Sequence, residues 1–226
     1  MPLEMNLRLY WETVRHLRSR QIASRLLLYW PKRTIAPIVG LTLRAYSSSW
    51  VAAARRPAMM TGPARFRFLN RERDVAVPTD WNASSESKLW LYNLHYFDDL
   101  NAEGALSRRA WHDALIERWI TENPAPHGNG WEPYPVSLRI VNWIKWHLSG
   151  GELSPAAVTS LAMQADYLSQ RLETHLLGNH LLTNAKALVF AVRACAAAAA
   201  VAKQKRPPPA APEAPSPDLG PRFELA

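Results

Sequence analysis

The feature that most constrains this chain is a series of apolar residues at three- and four-residue spacing that begins near Ser87, with only short breaks of glycine, proline and asparagine. SKLWLYNLHYFDDLNA, LSRRAWHDALIERWITEN, PVSLRIVNWIKWHLSG, SPAAVTSLAMQADYLSQRLETHLLG and NHLLTNAKALVFAV follow one another, each predicting a helix of roughly 12 to 20 residues. Breaks fall at NPAPHGNG (residues 123–130), at Gly150 and Gly151, and near Gly178; Ser154 before Pro155 reads as an N-cap with proline at the first helical position. Helices in series with short connections must bury their apolar stripes on one another. A bundle, a solenoid or an α/α toroid satisfies that requirement.

The flanking regions differ in kind. Residues 7–29 predict an amphipathic helix that Pro31 ends, and a second helical stretch is expected around residues 38–51. Residues 55–88 read as loop with one or two short strands in FRFL and VAV, a connector and not core. Beyond residue 191 the chain carries 7 of its 18 prolines, an alanine run and few large apolar residues, so residues 192–226 are expected to be a disordered tail. The change comes in mid-helix without a cap, which suggests a lost reading frame. The expected organisation is a basic N-terminal helical region over 1–54, a connector over 55–86, a helical domain over 87–191 and the tail over 192–226.

Charge is uneven. Residues 1–73 hold 14 Lys+Arg against 3 Asp+Glu, a net of +11, and the remainder 13 against 16, a net of −3. Arg15, Arg18, Arg20, Arg25, Lys32 and Arg33 could meet an anionic partner or form a solvated helix face. The single cysteine, Cys195, excludes an internal disulfide framework and a cysteine-rich zinc site. GxSxG, GxGxxG, P-loop and HExxH signatures are all missing, so serine hydrolase, dinucleotide, nucleotide and zincin readings lack their minimum parts. No export signal and no apolar run of membrane-spanning length is present.

FLNRERDVAVPTDWN with LWLYNLHYFDDLNA, then GWEPYPVSLRIVNWIKW, then LLGNHLLTNAKALVFA resemble, in order and spacing, the N-terminal helical region of the heparinase II/III-like polysaccharide lyases, over roughly residues 10–191. The resemblance implies an all-α fold, the N-terminal part of an incomplete α/α toroid. It implies β-elimination on a uronic-acid-containing polysaccharide, an acidic polysaccharide as partner, no nucleic acid, no integral membrane segment, no metal and no cofactor. Members of that family carry a later catalytic tyrosine and a histidine from a C-terminal β-sandwich domain, and no position here matches either. The chain is therefore expected to be a truncated lyase without activity by itself, the alternative being a non-catalytic module that binds acidic glycans.

The chemistry needs a group that holds the uronate carboxylate while negative charge develops at C5, a base near C5 and an acid near O4. On a helical wheel Asn179, His180, Thr183, Asn184 and Lys186 share one arc, and Leu177, Leu181, Ala185 and Leu188 the opposite one, which predicts a chemical face and a core face. By resemblance Asn179 neutralises the carboxylate and His180 assists proton transfer. By pattern alone the same pair fits a helix cap and a hydrogen-bonded structural histidine. Arg139, Asn142, Trp143 and Trp146 form a stripe at i, i+3, i+4 and i+7, suited to an acidic sugar or, for the two indoles, to the core. Tyr134 and Glu132 precede that helix where a cleft loop is expected. The substrate-binding set is Arg139, Tyr134, Asn142, Trp143 and Asn184, with Asn93 and His95 as weaker candidates.

Overall fold

The computed structural model describes residues 55–204 apart from Leu177, with side chains placed through Cys195, and scattered positions between Trp11 and Val51. The described region is mostly helical, with one small sheet.

Three antiparallel strands come first: β1 (Met60–Gly62), β2 (Arg65–Phe68) and β3 (Arg71–Asp74), in the order β1-β2-β3. Leu69 and Asn70, both at positive φ (52° and 60°), make the two-residue turn between β2 and β3 that a right-twisted hairpin favours. Because side chains alternate along a strand, Phe66 and Phe68 face inward. Arg65 and Arg67 face solvent and pair with Asp74 and Glu72. Phe68 meets Trp90 edge-on at 5.2 Å. The stretch expected to be a connector outside the core instead supplies Met60, Phe66, Phe68, Val75 and Trp81 to the same buried cluster as the helices. RFRF is too short to carry a strong period, so the sequence understated it.

Five helices follow: α1 (Lys88–Tyr96), α2 (Arg109–Glu122), α3 (Pro133–Leu148), α4 (Pro155–Ser169) and α5 (Gly178–Gln204). Ser87 Oγ accepts the Trp90 N–H at 3.2 Å, and Ser154 Oγ accepts the Ala157 N–H at 3.1 Å ahead of Pro155. Two helices stop earlier than the periodicity predicts. α1 ends where Phe97 turns left-handed (φ 60°), and α4 ends at Ser169, so residues 170–176 form a loop.

α5 runs on instead of breaking at residue 192, and the disordered tail expected there is corrected for residues 192–204. Alanine is the strongest helix former, so an alanine run extends a helix without help from large side chains. Ala194 is buried, and its carbonyl accepts the Arg44 N–H at 2.9 Å. Residues 205–226 lie outside the described residues. Of the expected N-terminal helices, Trp11, Glu12, Ser19, Gln21, Ala23 and Arg25 are helical; residues 41–44 are not, and most of the rest lies outside the described residues.

α3 is central and packs against α1, α4 and α5. Around it Trp81, Trp90, Trp119, Trp143 and Trp146 are fully buried. Trp119 lies edge-on to Trp143 at 5.9 Å and tilted to Trp131 at 5.7 Å, in offset and T-shaped pairings that ring quadrupoles favour. Two polar ties fix this core. Asp99 accepts the N–H groups of Met59 (2.5 Å) and Met60 (3.0 Å), together with Arg108 Nη2 (2.9 Å) and His112 Nε2 (2.7 Å), and so clasps the sheet to α2. Burial pushes the Asp99 carboxyl up, but His112, the two backbone N–H groups and Arg108 outweigh it and hold it below the usual range.

The second tie is His95. Its Nδ1 accepts the Trp119 indole N–H at 3.0 Å, and its Nε2 lies 3.0 Å from the Trp81 carbonyl. An indole can only donate and a carbonyl only accept, so the ring is the neutral Nε2–H tautomer. Gly130 is required beside it, since a Cβ there would sit 2.6 Å from His95 Nδ1.

Burial, reinforced by the nearby Arg139 charge, pushes the His95 pKa from 6.5 down to about 3. Above 6.5 the ring is neutral in both folded and unfolded chains; below it only the unfolded chain takes the proton. This group is therefore expected to lower stability by up to about 1.4 kcal/mol per pH unit as pH falls from 6.5 toward 3. Urea unfolding across that window checks it: His95→Gln should be less stable near neutrality and show a shallower pH slope, and an unchanged slope would contradict the assignment.

Candidate active site

The buried face of α5 is rotated from the one the helical wheel predicts: of the expected core face Leu181 and Leu188 are half-buried and Ala185 exposed, and of the expected polar face Asn179 and Lys186 are exposed while Asn184 is buried. Asn184, Ala187, Ala191 and Ala194 are buried, while Leu182, Val189 and Val192 are 69%, 61% and 68% exposed. Small side chains let α5 lie close along α3, and Asn184 can enter because it is satisfied there. Its Oδ1 accepts the Glu173 N–H at 2.8 Å, and its Nδ2 donates to Ser137 Oγ at 3.0 Å and Glu173 Oε2 at 3.1 Å. Asn184 is thus a positioning residue for Glu173 and not a sugar contact, which corrects its assignment. Leu177 of the expected core face lies outside the described residues.

Glu173 passes the arrangement on. Its Oε1 accepts from His180 Nδ1 at 2.9 Å. A carboxylate oxygen can only accept, so Nδ1 of His180 carries a proton, and in the neutral ring the lone pair is on Nε2. The Tyr134 ring packs against the imidazole at 4.6 Å between centroids, and Tyr96 meets Tyr134 edge-on at 6.0 Å. The His180 side chain is 42% exposed and that of Glu173 11%, so the pair is anchored at one end and open at the other.

His180 and Glu173 line a groove of about 590 Å³ with Tyr92, Glu132, Arg171 and His175. The Tyr92 hydroxyl donates to Glu132 Oε2, while Lys88 Nζ pairs with Glu132 Oε1 at 2.9 Å. Burial and the adjoining Glu132 carboxylate push the Tyr92 phenol upward, so at neutral pH it is a proton donor and not a base. The Arg171 guanidinium lies over the Tyr167 ring at 4.2 Å. Arg171 Nη1 and His175 Nδ1 are shielded from water and have no hydrogen-bond partner among the described residues.

Four other expected site residues do not meet this groove. Arg139 is fully buried: Nε donates to Gln164 Oε1 (2.9 Å), Nη1 to the His95 carbonyl (3.2 Å) and Nη2 to the Gly130 carbonyl (2.9 Å), with the guanidinium 3.7 Å above the Trp119 ring. Trp143 is fully buried against Phe97 and Trp119. Asn142 donates to the Tyr96 carbonyl (2.9 Å) and Asp98 Oδ1 (2.7 Å) and lines a different cavity. Their roles as sugar contacts in the groove are corrected: the stripe of α3 that carries them faces inward. Asn179 is exposed on the first turn of α5 and is not among the groove-lining residues. Asn93 donates back to the Leu89 carbonyl, and His95 is core.

The structure therefore brings together His180, Tyr134 and Glu132 from the sequence reading, and adds Glu173, Arg171, His175 and Tyr92. The first three of these lie in QRLETH, which the periodicity assigned to helix; its density of ionisable residues at a helix end was the available signal. Among the described residues no group of three His, Cys, Asp or Glu could hold a metal ion, and no helix is long and apolar enough to cross a membrane.

Arg139→Met keeps much of the side-chain volume but leaves three acceptors without donors, so a loss of about 3 to 5 kcal/mol is expected. Urea denaturation measures this, and a loss under about 1 kcal/mol would contradict the structural role. Comparison with protein-family models, curated proteins and solved structures yields no match.

Proposed function

We propose that the groove at the start of α5 holds an acidic sugar and that the chain is part of a polysaccharide lyase of the heparinase II/III-like kind, its helices forming part of an α/α toroid. The observation that carries this reading is the Glu173-His180 pair, its imidazole 42% exposed, in a groove that Arg171 and His175 also line. The outward aliphatic stripe of α5, at Leu182, Val189 and Val192, fits a surface on which a further helix of such an array would pack.

β-Elimination removes the proton on C5, pushes electron density toward the uronate carboxylate and expels O4. Arg171 supplies the charge that Arg139 cannot, since a guanidinium matches a carboxylate bidentately and carries fixed donors for the developing charge. His180 Nε2 takes the C5 proton, and Glu173 stabilises the imidazolium that forms, as an acid behind a histidine does in other general-base sites. Tyr92 is the protonated group within the groove, and it would have to leave Glu132 to donate to O4.

Calorimetric titration of the chain with an oligogalacturonate is expected to show saturable binding, weakened about tenfold or more by Arg171→Met and by His180→Ala, equivalent to about 1.4 kcal/mol each. Equal affinity in both variants, or no binding by the parent, would overturn the reading. Appearance of ultraviolet-absorbing unsaturated uronate that disappears in His180→Ala would assign elimination to this groove directly.

A further inference from the structure

A second cavity, of about 200 Å³, is built from the other end of α3 and from α5; Arg56, Asp98, Asn101, Asn142, Lys145 and Lys186 contribute its polar wall. It gathers three cations around one carboxylate. Asp98 is already engaged on both oxygens, Oδ1 by Asn142 Nδ2 at 2.7 Å and Oδ2 by Arg56 Nη1 at 3.1 Å. Lys145 and Lys186 have no hydrogen bond or ion pair among the described residues. Lys145 is half-buried, and burial together with the Lys186 and Arg56 charges draws its pKa down, against the pull of Asp98. Among the described residues that line the recess, Lys145 is half-buried, Lys186 exposed, and the one carboxylate, Asp98, is paired with Arg56, so the two lysines leave a local excess of positive charge that an anion would relieve.

We propose that this cavity is an anion subsite that takes one carboxylate or sulfate of an acidic glycan through Lys145 and Lys186. The assignment rests on the polysaccharide reading of the groove in one respect: it makes the two sites successive contacts for a single chain. Pro133 lines the groove and Lys145 the cavity, both on α3. At 1.5 Å of rise per residue they lie about 18 Å apart along α3, and His180 and Lys186, which line the groove and the cavity on α5, about 9 Å apart, spans within reach of a short oligomer. Tyr96 lies between the sites, meeting Tyr134 edge-on and accepting Asn142 Nδ2 at its carbonyl. An ammonium is a point charge that suits either anion, so the two sources must be separated by experiment.

The test is calorimetric titration of the full chain with galacturonate monomer, galacturonate hexamer and a sulfated heparin hexamer. Lys145→Met/Lys186→Met is expected to bind at least one hexamer about tenfold or more weakly and the monomer unchanged, and Lys145→Arg/Lys186→Arg to restore hexamer affinity. The hexamer that loses more names the anion. Matching circular dichroism spectra keep misfolding out of the comparison. If the methionine variant binds both hexamers as the parent does, the subsite is wrong, whether or not Arg171→Met weakens binding at the groove. If the lysine variant weakens hexamer binding and Arg171→Met does not, the anion subsite stands and the groove reading falls.

Discussion

The architecture turns on one buried guanidinium. Arg139 sits in an interior where an unpaired charge would be prohibitive, and burial draws its pKa well below the ordinary value. It is tolerated because all three of its nitrogens donate to neutral acceptors and its face rests on Trp119. Those acceptors belong to α1, the loop before α3, and α4. Three separate segments are thereby fixed against α3 by one side chain. An apolar residue of similar size would fill the space without dictating where the Gly130 and His95 carbonyls must point.

Removing water from that site makes its neighbours interdependent. His95 is kept neutral by burial, with the Arg139 charge reinforcing it, and its two ring nitrogens then need one donor and one acceptor, which Trp119 and Trp81 provide. Gly130 must lack a side chain because the imidazole occupies that space. The order created there extends to α3, whose Ser137 anchors Asn184 on α5. Asn184 fixes Glu173, and Glu173 fixes the His180 ring. A chain of polar contacts on packed helices thus presents one imidazole, partly exposed, at the rim of a groove.

Helix existence was legible in the sequence because apolar periodicity over more than a dozen residues has few competing explanations. The Ser154 cap was legible because an N-cap is a local event: the serine, its proline and the Ala157 N–H it accepts lie within four residues. The sheet was legible in part: FRFL marks β2, whereas VAV forms no strand, and β1 and β3, of three and four residues, went unnoticed because such short strands carry little pattern. The α5 faces were misassigned because hydrophobicity stood in for burial. Alanines that permit close approach to α3 won over larger leucine and valine, and an asparagine with all its partners met was cheaper to bury than its polarity suggests. Arg139 failed for the same reason in sharper form: its stripe position was right, but no pattern in one sequence tells which side of a helix faces inward when both sides carry aromatics. Motif and position single out His180 and Tyr134, and the structure packs their rings together. Glu173 and Arg171 were not singled out, because the periodicity assigned their segment to helix and the partners that place Glu173, His180 and Asn184, stand 7 and 11 residues further along the chain.

Two arginines divide the labour: Arg139 holds the fold, and Arg171, in the proposed function, meets the ligand. Guanidinium Nε–H resonances in a proton-nitrogen correlation spectrum, recorded with and without oligogalacturonate, read both residues in one experiment. The Arg139 signal is expected to exchange slowly with solvent and stay in place as ligand is added, while the Arg171 signal moves with saturation. A fast-exchanging Arg139 signal that shifts with ligand, beside an indifferent Arg171, would contradict the account at its centre.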